Sequence, residues 1–398
     1  MLWLNFLHFY QPANVSTDIL KKALAKSYWR LLRLIEENPN LRVTLNVSGC
    51  LLNRLAEEKE VAFLERLTFL VKKGRVELTG SAAYHGLLPL LPSTEAVRQI
   101  KENEKILRKY FGRSFKPKGF FLPEMAYSPA VAKLVKELGY TWIILDEISS
   151  AAGQPQLGEV YRDINSGLKV VFRDRQLSNT YPPDALLNII TKIKTLNILP
   201  EEKERAVLIT ATDAELYGLR HEDPTGEIEK VVKEKELKTE TISNFIKNHR
   251  HQKISLNLRP SSWESSAQEI KNKQPFLVWQ NKNNPIQADL WRLADLALSL
   301  GDKFSKDKNF YWYRWHLVRG LASCTFWWAS ARDFVQIYGP YAWSPDEIER
   351  GLGDLIRAVR SLEDKKTKKV KLLAEKYYIR IKKNIWAEHW KKHWHKNV

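Results

Sequence analysis

Over the first half of the chain, short apolar runs rich in β-branched and aromatic residues alternate with longer amphipathic stretches. The runs occupy residues 2–7, 43–47, 76–79, 119–121, 142–145, 170–172 and 207–210. Runs this short, bounded by polar and turn-forming residues, read as buried strands. Residues 19–37, 52–73, 94–111 and 128–138 repeat their apolar positions every three or four residues, which predicts helices between the first five strands. Strand–helix alternation at this spacing means βαβ units around a parallel sheet, an α/β fold. Seven strands within about 210 residues favour a closed or nearly closed barrel over an open doubly wound sheet, and no glycine-rich phosphate loop follows the first strand. Beyond His221 the pattern changes. Residues 227–247 read as a charged helix and 254–258 as a late strand. From Trp263 onward the pattern is helical, with long segments at 287–300, 311–331 and 345–361. The domain boundary is expected near Pro260, giving domains 1–260 and 261–398.

Ionisable residues gather where the predicted strands end, which is where α/β barrels place their chemistry. The first run leads into His8-Phe-Tyr10-Gln11-Pro12, the fourth into Leu122-Pro123-Glu124, and the last into Thr212-Asp213-Ala-Glu215-Leu-Tyr-Gly218-Leu-Arg-His221. Glycosidic bond cleavage needs one carboxyl to protonate the leaving oxygen and a second to act as nucleophile or base. Glu124 and Asp213 fit that pair. Each has a plain alternative, Asp213 as the cap of a following helix and Glu124 as a surface ion-pair partner.

Composition changes this picture in two respects. The chain holds 14 Trp, 15 Tyr and 15 Phe, enough rigid apolar faces for sugar stacking as well as for a core. The net charge of +18 is uneven: residues 364–398 carry twelve Lys/Arg against three Asp/Glu. That tail reads as a basic, partly amphipathic helix with Trp386, Trp390 and Trp394 on one face, suited to packing on the body or to weak polyanion contact. With the excess concentrated there and no recognition motif, a specific nucleic-acid function is not expected. Two separated cysteines, a first strand beginning at the N-terminus in place of a basic leader, and no apolar stretch long enough to span a membrane point to a cytoplasmic protein.

The motifs resemble those of glycoside hydrolase family 57. The family's His-x-His-Gln-Pro motif is matched by His8-Phe-Tyr10-Gln11-Pro12, with Tyr10 in place of the second His. Its Gly-x-x-x-x-Glu motif is matched by Gly119 to Glu124. Its Asp-Gly-Glu-x-x-Gly motif is matched by Asp213-Ala-Glu215-Leu-Tyr-Gly218, with Ala214 in place of Gly. The segments Val76 to Pro89, Phe172-Arg173-Asp174-Arg175, and Trp279 to Trp291 are similar as well. The resemblance implies a distorted seven-stranded (β/α) barrel followed by an α-helical domain. It also implies a retaining enzyme acting on α-glucans or related α-linked oligosaccharides, with Glu124 as nucleophile and Asp213 as acid/base, the latter with a raised pKa. His8, Tyr10, Gln11, His85, Glu215 and His221 would contact sugar. Asp289 would join them, with Trp279, Trp291, Trp327 and Trp328 as platforms. No cofactor and no metal site is expected.

Hydrolysis and transfer differ only in what intercepts the glycosyl-enzyme, which these motifs do not separate. The chain's length speaks against a branching enzyme. Two alternatives stand beside this reading. One is a catalytically silent glycan-binding homologue, which Tyr10 and Ala214 would permit. The other is a metal-dependent carbohydrate deacetylase-like or mannosidase-like enzyme, against which stands the absence of ligand motifs near the strand ends.

Overall fold

The computed structural model describes residues 1–195, 207–248, 254–332, 334–335, 339–340 and 342–393. The chain divides into two compact units, one of residues 1–83 and 88–263, the other of residues 84–87 and 264–398.

The first unit is an α/β structure. Its strands are β1 (Leu2–Phe9), β2 (Val43–Val47), β3 (Val76–Leu78), β4 (Gly119–Phe120), β5 (Trp142–Asp146), β6 (Tyr161–Asp163), β7 (Lys169–Arg173), β8 (Val207–Asp213), β9 (Lys238–Thr239) and β10 (Ile254–Leu256). One sheet runs β3-β2-β1-β8 with β9 also beside β1, and the other runs β10-β6-β7-β5-β4. Pairing is parallel throughout except between β6 and β7. The two sheets are stitched at both ends. Gly80, just past β3, forms a parallel bridge with Phe120, its N–H donating to the Gly119 carbonyl at 2.9 Å. At the other end Asp174 N–H donates to the Ile209 carbonyl of β8 at 2.7 Å.

Both sheet faces are covered, so the central strands are continuously apolar instead of alternating. The period of two sorts their side chains between two cores. Trp142 and Ile144 of β5 and Val171 of β7 join Leu4, Phe6, Phe121, Ile209 and Ala211 in one cluster, together with Ile242 and Phe245 of the helix Ile242–Asn248. Ile143 and Leu145 of β5, with Val170 and Phe172 of β7, face the opposite way onto Val131 and Val135 of the helix Pro129–Glu137. Gly119 is required here by close packing: a Cβ at this position would lie 2.1 Å from the Trp142 ring.

Several expected helices are divided. Residues 52–73 form Gly49–Glu57 and Val61–Lys72, broken where Lys59 takes a φ of 61°. The expected single helix 227–247 is instead Glu227–Val231 and Ile242–Asn248 with β9 between them, because Lys238 and Thr239 pair with the start of β1. Edge pairing there outweighs helix propensity. The expected 311–331 helix is divided into Phe310–Gly320 and Ser323–Trp327. The three-residue β6 went unpredicted.

In the second unit the longer helices are Pro285–Leu298, Phe310–Gly320, Pro345–Ser361 and Lys368–Glu388. The basic helix Lys368–Glu388 buries Ala374, Ile381 and Ile385, a seven- and four-residue spacing that marks one face. Trp386 donates its Nε1–H to Glu349 at 2.6 Å and stacks with the half-exposed Trp390. Trp394 lies outside the described residues. Among the described residues no helix is long and apolar enough to cross a membrane.

Candidate active site

β1 and β8 run side by side in register, which sets His8 opposite Asp213 at their C-terminal ends. β2 flanks β1 on its other side, with Asn46 opposite His8. The His8 Nδ1 and Asn46 Oδ1 atoms lie 2.8 Å apart, fixing the imidazole plane. Burial lowers the His8 pKa to about 4, although the Asp213 charge works the other way. His8 is therefore neutral near pH 7. Tyr10 stacks on it at 5.6 Å, and Phe121 packs tilted against it at 4.7 Å.

Glu124 follows β4 on a tight turn closed by Met125 N–H to the Leu122 carbonyl at 2.7 Å and Ala126 N–H to the Pro123 carbonyl at 3.0 Å. Glu124 and Met125 have φ values of 60° and 48°, left-handed conformations that cost an L-residue about 1–2 kcal/mol. Strained backbone of this kind concentrates at functional sites, held by its surroundings. Here the holder is Trp263, whose backbone N–H donates to the Glu124 carbonyl at 3.2 Å and whose Nε1–H donates to Glu124 Oε2 at 2.9 Å. The same indole lies edge-on to His8 with ring centroids 6.2 Å apart. Phe121 packs against both rings. Glu124 and Asp213 thus reach His8 from two sides, one through Trp263 and one through the β1–β8 register.

Asp213 is the last residue of β8, not the first of a loop. It occupies the cap position of the short turn Ala214–Leu216, yet its side chain makes no cap hydrogen bond. It pairs instead with Arg220 at 2.7 Å. Glu215 points into the interior and is 3% exposed. Gln11 donates to its Oε1 at 2.8 Å, and the Tyr28 hydroxyl donates to the same oxygen. Burial, reinforced by the Asp213 charge, pushes the Glu215 pKa up to about 7. His221 stacks face to face on Tyr181 at 4.0 Å, and its carbonyl accepts from Gly218 N–H at 3.0 Å.

The first unit therefore gathers His8, Tyr10, Gln11, Glu124, Asp213 and Glu215 around one set of strand ends, with His221 at the end of the same loop. The other expected residues belong to the second unit. His85, at φ 57°, has its Nδ1 2.9 Å from the Ser323 hydroxyl oxygen. Trp279 is wholly buried. Trp291 is nearly so, donating its Nε1–H to the Trp279 carbonyl and stacking on Phe326 at 4.0 Å. Trp327 and Trp328 pack edge to face at 4.6 Å. Asp289 accepts from Arg380 and from Arg292, the latter at 2.7 Å; burial would raise its pKa, but these bonds hold it below the usual carboxylate range. Among the described residues no group of three or more His, Cys, Asp or Glu side chains is placed to hold a metal ion.

The sequence pattern did not single out Trp263, Asn46, Tyr28, Arg220 or Asp146. Asn46 and Asp146 had a usable signal, being polar residues at the C-terminal ends of strands whose other positions are mostly apolar. Trp263 had none.

The model for glycosyl hydrolase family 57 matches residues 3–259. An α-amylase from Pyrococcus horikoshii is 28% identical over 54% of this chain and 34% of its own length, so the match spans about a third of that relative. Among solved structures, a 4-α-glucanotransferase from Thermococcus litoralis superposes with a TM-score of 0.71 at 18% identity, covering 91% of this chain and 60% of that one. A GH57-type branching enzyme from Pyrococcus horikoshii gives 0.68 at 18% identity, covering 100% of this chain and 96% of that one. Likeness at this identity speaks to the fold alone.

Proposed function

Because the chain belongs to glycosyl hydrolase family 57, we propose that it is a retaining glycoside hydrolase or transglycosylase acting on α-glucans or related α-linked oligosaccharides. In the first step a Glu124 oxygen attacks the anomeric carbon. The glycosidic C–O bond breaks as Asp213 gives its proton to the leaving oxygen. In the second step a water or sugar hydroxyl loses its proton to Asp213 while its oxygen displaces Glu124 from the same carbon. This chemistry calls for carboxyl groups about 5–5.5 Å apart. The observation that carries the reading is the strained Glu124 turn, whose carboxylate is held by Trp263 beside a neutral His8 that is in register with Asp213.

Closure of β1–β5, β7 and β8 into a distorted seven-stranded barrel is part of the proposal, supported by the Gly80–Phe120 bridge at one seam and the Asp174–Ile209 bond at the other. His8, Tyr10, Gln11, Glu215 and His221 are the proposed sugar contacts of the first unit. The roles of His85, Trp279, Asp289, Trp291, Trp327 and Trp328 stand as proposals about the second. The sparse cysteine usage, Cys50 and Cys324 alone in 398 residues, fits a reducing, cytoplasmic setting. Weak polyanion contact by the basic helix would register as salt-sensitive binding lost on removing residues 364–398.

The deciding experiment incubates wild type, Glu124→Ala and Asp213→Ala with a panel of α-linked oligosaccharides and separates the products. Turnover by wild type that both variants lose supports the reading, and the product ladder tells hydrolysis from transfer. Undiminished turnover by Glu124→Ala sinks it. Binding without turnover in wild type moves the chain to a silent glycan binder.

A further inference from the structure

Arg173 ends β7 and is 4% exposed, a buried cation that the double-displacement scheme does not use. Its guanidinium reaches four groups, one of them the Asn179 Oδ1, to which Nη2 donates at 3.3 Å. Nε donates to Asp146 Oδ2 at 2.7 Å, Nη1 donates to the Ala211 carbonyl at 3.0 Å, and its carbon lies 5.3 Å from the centre of the Trp263 ring. Ala211 precedes Asp213 by two residues on β8, and Trp263 holds Glu124. Asp146 is wholly buried at the end of β5. Its other oxygen accepts from Arg175 at 2.8 Å and from the Ile148 N–H at 3.1 Å, so the carboxylate is fixed on all sides.

We propose that Arg173, oriented by Asp146, is a positioning residue that sets Glu124 through the Trp263 indole and Asp213 through the backbone of β8. The inference rests on the proposed roles of those two acids. A cation over an indole face is held most strongly where water is excluded, and this guanidinium is buried. Only the planar fork of arginine can meet a carboxylate, a carbonyl and a ring together; a lysine ammonium is a single point charge. By drawing electron density from the indole face, the cation makes Nε1–H a better donor to Glu124. A donor bonded to a carboxylate favours its ionised form, the form a nucleophile needs. One buried ion pair thereby fixes both the place and the charge state of the attacking group.

The test uses Arg173→Lys and Trp263→Phe in the full chain. The lysine keeps the charge without the fork. The phenylalanine keeps a ring without the N–H and leaves the Arg173–Asp146 pair intact, so it guards against simple misfolding. For each protein kcat, KM and the pH profile are measured on the oligosaccharide that wild type turns over. The Glu124 carboxyl is titrated directly by NMR after carboxyl-13C glutamate labelling. In both variants kcat should fall about 10- to 100-fold with KM within about twofold, since small displacements of a reacting group cost on that scale. The Glu124 titration and the acidic limb of kcat should rise together by about one pH unit. A purely structural role would lower the melting temperature and leave the Glu124 titration in place; that result, or a shift in Trp263→Phe alone, overturns the inference. The NMR titration needs no turnover. A shifted Glu124 in a protein without activity would uphold the link from Arg173 and sink the proposed function instead.

Discussion

Replacing Glu215 with Gln should make the protein more stable at alkaline pH and not at acid pH. The carboxyl is 3% exposed, and burial together with the Asp213 charge raises its pKa from 4.5 to about 7. Its folded form therefore holds a proton that the unfolded chain releases. For a group raised in this way, the stability it supports is fully present below about pH 4.5 and is lost as pH climbs to about 7. At about 1.4 kcal/mol per unit, a displacement of roughly 2.5 units amounts to about 3 kcal/mol. Glutamine keeps the oxygen that accepts from Gln11 and Tyr28, so both hydrogen bonds survive while the buried charge is removed. The assay is denaturant unfolding of both proteins at intervals from pH 4.5 to 8.5. The variant's advantage should grow through that range and level off near 3 kcal/mol above about pH 8. His8 also titrates between its folded and unfolded states, but it is present in both proteins and drops out of the difference. A stability difference that stays flat with pH, or that favours glutamate as pH rises, would refute the assignment of a neutral buried carboxyl.

Four further outcomes follow from the geometry. Gly218 has a φ of 107°, and a Cβ there would lie 2.3 Å from the Lys26 carbonyl oxygen, so Gly218→Ala should cost about 2–4 kcal/mol in unfolding. Gly353→Ala, in a helix with open space around the new methyl, should gain about 0.5–1 kcal/mol in the same measurement. Asp289→Asn should lower stability at neutral pH by about 1–2 kcal/mol, because Arg380 and Arg292 lose a buried carboxylate but are themselves half exposed. That deficit should close as pH falls below about 3.9 and through the lower folded pKa, as thermal melts at pH 7 and pH 3 would show. Asn46→Ala frees the His8 ring at the cost of a single hydrogen bond, and should lower kcat about tenfold while moving stability by only about 1 kcal/mol.

All seven runs read from the apolar pattern are strands, because a run buried on both faces announces itself by continuity. β6 escaped notice: of Tyr161, Arg162 and Asp163, the middle residue is exposed and the last is polar. The glycines that frame the two candidate acids in the sequence have physical causes in close contacts, Gly119 with the Trp142 ring and Gly218 with Lys26. The supporting side chains were not. Trp263 reaches Glu124 across 139 residues of chain, and nothing in its own surroundings marks that destination. Composition also could not separate tryptophans with different fates: Trp279 and Trp291 fill the core of their unit, while Trp312 and Trp390 are about half exposed.

The motif from Asp213 to Gly218 takes its shape from a helix some 190 residues earlier in the chain. Between the helices Thr17–Ala23 and Trp29–Glu37 the backbone widens into a π-helical turn, Leu24–Tyr28. Such an inserted residue redirects side chains and carbonyls, which is why π turns recur at functional sites. Here Ser27 donates to the Ala214 carbonyl, Tyr28 donates to Glu215, and the Lys26 carbonyl lies where a side chain on Gly218 would go. Three consecutive residues of the turn thus grip alternate or adjacent points of the acid loop. The glycine at position 218 answers to that backbone contact and needs no ligand to account for it. Position 214 is held through its carbonyl, and alanine there is fully buried without disturbing the grip. The change from glycine to alanine at 214 is therefore compatible with an intact acid loop, and Tyr10 remains the departure that bears on the proposed sugar contacts. Its ring stacks on His8, and its carbonyl lies 3.3 Å from the hydroxyl oxygen of the Tyr28 that holds Glu215, so any difference in substrate choice should trace to Tyr10 before Ala214.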